Sequence, residues 1–327
     1  MKYVVGVDIG ATKTKVGLFT LDCSLVYVDA FTTPKEGDGS LIPQVIVSKV
    51  REISSKIRGE VTAVGIGTIG PLDIRRGDVV RTPNVGQASF KLKVPIEKAL
   101  GVKTYVVNDC VAAVWGEYLV GAGRGSSNVV YITISTGIGG GAVVDDHLIL
   151  GKDGNAHEVG HIVLDYSGRF KCGCGGVGHW EGIASGANIP KTASLLSREW
   201  GGSKSEAYWK ALKGLLTPEL LFSYWASGDA FAGYLVDFLA EVNAAGIASA
   251  INVYDPEIVT IGGSIALRNP EFFKLIERKI VKYTINRVPR VLLTPLGDDA
   301  VLVGAAMVAI NTPPNLVKLQ SDVSDYL

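Results

Sequence analysis

Tyr3–Lys15 reads YVVGVDIGATKTK, and Val129–Gly141 reads VVYITISTGIGGG. Each begins with a run rich in β-branched residues, Tyr3–Asp8 and Val129–Ser135. Each then enters a glycine-containing turn, Gly10–Lys13 and Thr136–Gly141, and leaves it on a second apolar run, Lys15–Phe19 and Ala142–Val144. Branched side chains pack well on a pleated strand, and glycine tolerates the backbone angles of a tight turn. Both stretches therefore read as strand, turn, strand. Gly10 aligns with Gly137 and Thr12 with Gly139, so one unit occurs twice. Such a repeat implies a duplicated α/β architecture; the competing reading is a chance likeness between two glycine hairpins.

Working outward, Ser40–Ile57 has apolar residues at helical spacing, Val61–Ile66 is a further strand, and Gly67–Pro71 is a Gly/Pro turn. A short helix at Ile96–Leu100 stops at Gly101, a strand at Lys103–Val107 ends on Asn108-Asp109, and Val111–Tyr118 is helical. Beyond the second hairpin, Ile162–Asp165 reads as a strand and Ile189–Ala250 as mostly helical. Glu257–Ile261 is a strand ending at Gly262-Gly263, and Phe272–Lys282 and Val301–Ile310 are helices. Asn311–Leu327, polar with two prolines, is expected to be a loose tail.

The 327 residues suffice for two domains, each with its own core. Lys+Arg and Asp+Glu both number 32, and no basic cluster stands out, which argues against a nucleic-acid partner. The first ten residues lack the apolar centre of a signal peptide, and the apolar run near Ala244–Val253 is interrupted by Asn243 and Asn252, so no membrane partner is expected. Four cysteines, Cys23, Cys110, Cys172 and Cys174, do not make a disulfide scaffold and suit a reducing cytoplasm.

Four groups of residues carry chemistry. The first turn, Asp8 to Lys15, combines backbone N–H donors with Thr12, Lys13 and Thr14, which suits a phosphate tail, while Asp8 could hold Mg²⁺ through water. A hairpin with a charged tip is the plain alternative. The second turn, Ser135–Gly141, suits phosphate in the same way. Neither is a P-loop, and a strand rather than a helix follows Gly137, which excludes a dinucleotide fingerprint. Asn108-Asp109 at a strand's carboxyl end could supply a general base for a hydroxyl or could cap the next helix. Finally, His157-Glu-Val-Gly-His161 matches the H-E-x-x-H pattern of zinc proteases, but Gly154, Gly160 and the strand at Ile162–Asp165 deny it the helix that pattern needs. His161, Cys172, Cys174 and His179 read better as a closed tetrahedral zinc site.

Taken together, the chain resembles the ROK family (repressors, open reading frames and kinases). The stretches that carry the resemblance are DIGATKTK (Asp8–Lys15), GIGTIGPLD (Gly65–Asp73), TPN (Thr82–Asn84), Asn108-Asp109, GAGRG (Gly121–Gly125), STGIGGG (Ser135–Gly141), EVGH (Glu158–His161), CGCGGVGHWE (Cys172–Glu181), Ser185-Gly186 and IGG (Ile261–Gly263). The resemblance implies an α/β fold of the actin-like ATPase (ribonuclease H-like) type, duplicated into two domains with an interdomain cleft. Residues 1–115 plus about 303–327 would form the small domain, and 116–302 the large one with the zinc-type loop. It implies transfer of the ATP γ-phosphate to the 6-hydroxyl of a hexose, glucose by default. Fructose, mannose or N-acetylmannosamine, or a non-catalytic sugar sensor, are the alternatives. Asp109 would be the base, and Asn84, Asn108, Glu158, His161 and Glu181 would hold sugar hydroxyls. Asp8, Gly10, Thr12, Lys13, Thr136, Gly137 and Gly139 would surround the phosphates, with Gly262 and Gly263 near the adenosine. Mg²⁺ and a structural Zn²⁺ are implied, as is a homo-oligomer, dimer or tetramer. The family repressors place a helix-turn-helix domain before the first hairpin; here Tyr3–Asp8 is already the first strand, so none is expected. One position departs from the family: His179 stands where a third cysteine is usual, which would leave the zinc site neutral rather than negative.

Overall fold

The computed structural model describes residues 1–35, 39–80, 89–156 and 158–321. The opening hairpin is β1 (Lys2–Ile9) and β2 (Lys13–Thr20), and β2 pairs onward with β3 (Leu25–Thr32). After α1 (Leu41–Ser55), β4 (Glu60–Thr68) returns parallel to β1. Three two-residue strands, β5 (Leu72–Asp73), β6 (Asp78–Val79) and β7 (Phe90–Lys91), make a small sheet, followed by α2 (Lys93–Leu100). Then β8 (Lys103–Asn108) pairs parallel to β4 and leads into α3 (Asp109–Leu119). The main sheet has the order β3-β2-β1-β4-β8.

The plan then repeats. β9 (Val129–Ile134), β10 (Ile138–Val144) and β11 (His147–Leu148) are the hairpin side of a second sheet. α4 (Trp180–Ala184), α5 (Ile189–Ser197), α6 (Glu206–Leu212), α7 (Pro218–Ala226) and α8 (Ala230–Tyr254) follow. β12 (Ile258–Gly262), α9 (Ser264–Arg268), α10 (Pro270–Ile280) and β13 (Arg290–Leu293) come next, then α11 (Ala300–Ile310) and α12 (Pro314–Ser321). The second sheet has the order β11-β10-β9-β12-β13, position for position the order of the first. The repeat legible in the two glycine hairpins thus extends to whole sheets. The residues group into two compact units, one of Met1–Tyr131, Gly141–His157 and Asp298–Leu327, the other of Ile132–Gly140 and Glu158–Gly297.

In the first unit, strand alternation decides what covers each face. Val5, Val7 and Ile9 face Ile42, Ile46, Val50 and Ile53, which recur at helical spacing along α1. Each such buried aliphatic contributes roughly 1.5–3 kcal/mol. Val4 faces the other way, with Phe19, Ala63, Leu302 and Ala306, so α11 covers that side. α11 also packs on α3 at backbone distance: a Cβ on Gly304 would sit 1.8 Å from the Ala112 carbonyl, so only glycine fits there.

In the second unit, α8 is the core. Among the described helices it is long and apolar enough to cross a membrane by length and composition, yet Phe231, Leu235, Leu239, Ile247 and Ile251 are fully buried along it. Its buried Asn243 accepts from Trp180 Nε1 at 3.0 Å and donates to the Leu239 carbonyl at 2.8 Å, which satisfies a polar group at the centre of the packing.

Ile189–Ala250 is mostly helical as expected, divided among α5, α6, α7 and α8. Two sequence expectations are corrected. Ile162–Asp165 is not a strand: it makes one bridge, Val163 to His179, and the Leu164 and Asp165 N–H groups both donate to the Gly178 carbonyl, at 2.8 and 3.1 Å. The tail is not loose as far as Ser321. Pro314 suits the first turn of α12, Leu316 is buried, and the buried Gln320 side chain meets the backbone of Val106 in β8, at the edge of the first sheet.

Candidate active site

Period-two alternation puts Asp8 on the same side of β1 as Val4, the side that α11 covers. Asp109 opens α3 and Asp299 directly precedes α11. Three carboxylates from distant stretches thereby share one neighbourhood of the first unit. Burial pushes the Asp8 carboxyl up to about 7, the charges of Asp109 and Asp299 add to that, and Lys15, its cross-strand neighbour, opposes it. Lys15 Nζ is itself held by Asp299 Oδ1 at 2.8 Å and the Asp298 carbonyl at 2.9 Å.

Asn108 is the cap, its Oδ1 accepting from the N–H groups of Cys110 at 2.9 Å and Val111 at 3.4 Å. Asp109 is left at the first helical position, where Oδ1 accepts from Cys110 N–H at 2.8 Å. Burial raises its carboxyl above the usual range, against hydrogen bonds that favour the charged form.

At the first turn, Gly10 N–H donates to the Lys13 carbonyl at 3.1 Å, and Thr12 and Lys13 are exposed. A residue that sequence reasoning missed braces this turn from below. Buried Thr33 donates its hydroxyl to the Gly10 carbonyl at 2.8 Å, meets Thr14 Oγ1 at 2.9 Å and donates its N–H to the Thr12 carbonyl at 3.0 Å. Asn84 and His157 lie outside the described residues.

The second unit gathers Thr136, Gly137, Gly139, Glu181, Gly262 and Gly263. Ser135 N–H closes the turn on the Gly137 carbonyl at 2.9 Å, and Glu181 Oε2, from the first turn of α4, accepts from Ile138 N–H at 3.0 Å. Gly186 and Ala187 N–H groups donate to the Ser135 and Thr136 carbonyls at 2.8 and 3.1 Å. Ser135 Oγ meets Ser264 Oγ at 3.1 Å, a contact no local pattern announces. Gly263 caps α9 with φ 87°, and a Cβ there would meet the Ile134 carbonyl at 2.5 Å, so bare backbone lies beside the second turn.

Glu158 precedes a three-residue 3-10 turn, Val159–His161, so the described part of the H-E-x-x-H stretch, Glu158–His161, forms no α-helix. Glu158 Oε2 lies 3.7 Å from His161 Nε2. The other ring nitrogen of His161, Nδ1, is buried without a hydrogen-bond partner. His161, Cys172, Cys174 and His179 each bring a ligand atom, and these atoms lie within 4.8 Å of one another. Tetrahedral zinc with its usual bond lengths needs ligand atoms about 3.4–3.8 Å apart, so modest closure suffices. Cys174 Sγ and His179 Nδ1 are 3.3 Å apart, and burial pushes the Cys172 thiol up to about 11. Two thiols, two imidazoles and an orphaned buried nitrogen fit zinc. Cys172 Sγ also donates to Glu181 Oε1 at 3.7 Å, which ties the cluster to the residue that braces the second turn.

Two glycine hairpins at the heads of two sheets of the same strand order, with a carboxylate at the end of a parallel strand, define an ATPase of the actin-like fold. The ROK family model matches residues 4–312, and the chain belongs to that family. It is 39% identical over 322 residues to a glucokinase of Aeropyrum pernix, covering 97% of this chain and 99% of the relative. Among solved structures, a ROK hexokinase from Thermus thermophilus superposes with a TM-score of 0.79 at 33% identity, covering 94% of this chain and 97% of that one. A ROK family glucokinase from Streptomyces griseus in complex with glucose and AMPPNP superposes with a TM-score of 0.75 at 30% identity, covering 94% and 99%.

Proposed function

We propose that the chain is an ATP-dependent glucokinase that transfers the γ-phosphoryl group of ATP to the 6-hydroxyl of glucose. The observation that carries this reading is near-complete, colinear similarity to glucokinases, one of them solved with glucose and AMPPNP. Phosphoryl transfer asks little covalent chemistry of a protein; it asks for alignment and for charge stabilisation. Asp109 takes the proton of the 6-hydroxyl as the oxygen attacks the γ-phosphorus and ADP leaves. Its raised carboxyl makes it a stronger base than an exposed aspartate would be. Asn108, Glu158, His161 and Glu181, with Asn84, hold the sugar hydroxyls, since carboxylates accept and amides both donate and accept. The turn at Gly10, Thr12 and Lys13 and the turn at Thr136, Gly137 and Gly139 offer N–H, hydroxyl and ammonium donors to the phosphates, with Gly262 and Gly263 beside the adenosine. Asp8 would hold Mg²⁺, which screens phosphate charge when bound; a carboxylate crowded by Asp109 and Asp299 suits a hard cation. His161, Cys172, Cys174 and His179 would hold a structural Zn²⁺. Four free cysteines support a reducing, cytoplasmic setting.

A coupled assay with Mg-ATP against glucose, fructose, mannose and N-acetylmannosamine tests the reading. The expected result is the highest kcat/KM with glucose; absence of ADP release with every sugar, despite sugar binding, would move the chain to the sensors. Metal analysis is expected to give about one zinc per chain, held as Cys2His2. Well under one zinc in active protein would remove zinc from this account.

A further inference from the structure

The chain is neutral overall, with 32 cationic and 32 anionic side chains, yet four of the cations converge on one cavity in the second unit. Arg169, Lys171, Lys191 and Arg198 line a cavity of about 270 Å³. Lys191 and Arg198 lie two turns apart on α5 and its C-cap, so they share one helix face, and Ser194 lies between them. Arg169 and Lys171 come from the chain just before Cys172. The carboxylate bonded in this group is Glu199, which accepts from Arg169 Nη1 at 2.9 and 3.2 Å. That pair is largely exposed, so it contributes little stability and yields readily to a competing anion. Lys171 and Arg198 have no ion-pair partner among the described residues, and neither does the Ser194 hydroxyl have a hydrogen-bond partner.

All four cations are solvent-exposed, so water screens their repulsion, and with Glu199 the one carboxylate bonded among them the lining keeps a net positive charge. Guanidinium and ammonium groups with a nearby hydroxyl donor match the oxygens of a phosphoryl dianion. The volume lies just below the usual range of ligand cavities, roughly 300–1,000 Å³, which suits a compact anion. None of the lining residues belongs to either glycine hairpin, so these cations are not needed for the phosphates of ATP. The cavity is nevertheless joined to the sugar loop. Lys171 precedes Cys172, and Gly182, which follows Glu181, packs so closely that a Cβ on it would come within 3.0 Å of Cys172 Cα.

We infer that this cavity is a second anion site, which takes a small phosphoryl dianion, inorganic phosphate or a phosphomonoester. The site stands apart from the kinase reading, because its residues and its test do not require turnover. The experiment is a titration with inorganic phosphate and, in a second arm, with glucose 6-phosphate, followed by calorimetry on the full chain. Each is run on free protein and with both substrate sites filled by glucose and a non-hydrolysable ATP analogue. Saturable binding that persists with those sites filled is expected. It should weaken at least tenfold in the double variant K171Q/R198Q and by a smaller factor in K191Q, which keeps most of the cluster, with the thermal midpoint of each variant near that of the parent. Tighter binding in the first arm identifies phosphate as the ligand, and tighter binding in the second a phosphomonoester. No binding in either arm, or a dissociation constant that is the same in the parent and K171Q/R198Q, overturns the site. Failure of glucose to bind would count against the kinase reading alone, since the free-protein titrations still report on the cavity.

Discussion

The two glycine hairpins occupy the same place in sheets of the same strand order, but they are held in different ways. The first is braced by its own unit's core, through Thr14, buried Thr33 and the Lys15–Asp299 pair, and its tip presents Thr12 and Lys13. Behind it lie Asp8 and Asp109, whose charges oppose one another. The second carries no charged side chain and is braced by groups from α4 and α9, Glu181 and Ser264. Glu181 faces the metal-type cluster as well, through Cys172. One hairpin therefore carries charge at and behind its tip, while the other takes its position from residues of α4 and α9. The repeat keeps the backbone plan and changes what holds each turn.

The largest effect that could break this contrast is at the carboxylates behind the first hairpin. Asp109→Asn keeps an acceptor for Cys110 N–H, so the start of α3 should survive. Turnover should fall by about 10²–10⁴ if Asp109 is the base, with glucose affinity little changed. Steady-state kinetics beside equilibrium glucose binding checks this, and near-normal turnover would remove Asp109 from the mechanism. Glu181→Gln should behave differently. It keeps a neutral acceptor for Ile138 N–H but loses the charge assistance, which is worth on the order of 1 kcal/mol. KM for glucose should rise about tenfold, and KM for ATP several-fold through the slackened second turn. A rise confined to glucose would mean that the second hairpin stands without its brace.

A smaller effect comes from pH. Asp8 is pushed up, so it holds its proton to about 7, far above an ordinary aspartate. A proton there competes with Mg²⁺. As pH falls from about 8 to about 6, the Mg²⁺ concentration for half-maximal rate should climb, approaching tenfold per unit below the pKa. The sign follows from a raised acid: the cation-binding form is the one lost on acidification. Asp8→Asn should bind Mg²⁺ weakly at every pH and flatten the profile. A parent profile already flat between those limits would show that Asp8 does not hold the ion.

How much of this was legible in the sequence depends on distance along the chain. The strand–turn–strand repeat is local, and it led correctly to duplicated sheets. The metal-type cluster was legible because three of its members, Cys172, Cys174 and His179, lie within eight residues and His161 is close by. Asn108-Asp109 was legible as a pair, but not which of the two caps α3, because only the backbone angles of Asn108 decide it. Thr33, Asp299 and Ser264 were not legible. Their partners lie 19 to 284 residues away, and nothing in a threonine, an aspartate or a serine marks it in advance for a tertiary contact. Ile162–Asp165 misled for the opposite reason. Its apolar pattern suits a strand, but the Gly178 carbonyl takes both of the N–H groups that a ladder would have used.

The tail misled because polar composition was read as lack of structure. A polar residue can be essential where a sheet ends, since an edge strand leaves backbone donors and acceptors without a neighbour. β8 is such an edge. Gln320 answers it as a further strand would: Oε1 accepts from Val106 N–H at 3.3 Å, and Nε2 donates to the Val106 and Ile74 carbonyls at 2.7 and 2.9 Å. Removing the carboxamide leaves buried groups unpaired at about 1–3 kcal/mol each, partly relieved by entering water. Gln320→Ala should therefore lower stability by about 2–3 kcal/mol, a fall in the thermal midpoint of roughly 5–10 °C. Turnover at moderate temperature should hold, because β8 keeps its pairing to β4 and Asp109 keeps its place at the start of α3. This is the smallest change asked of the active site and the cleanest check on the first sheet. A midpoint within about 1 °C of the parent would mean that α12 merely rests on β8, and that pairing with β4 alone secures the strand that carries Asn108 and Asp109.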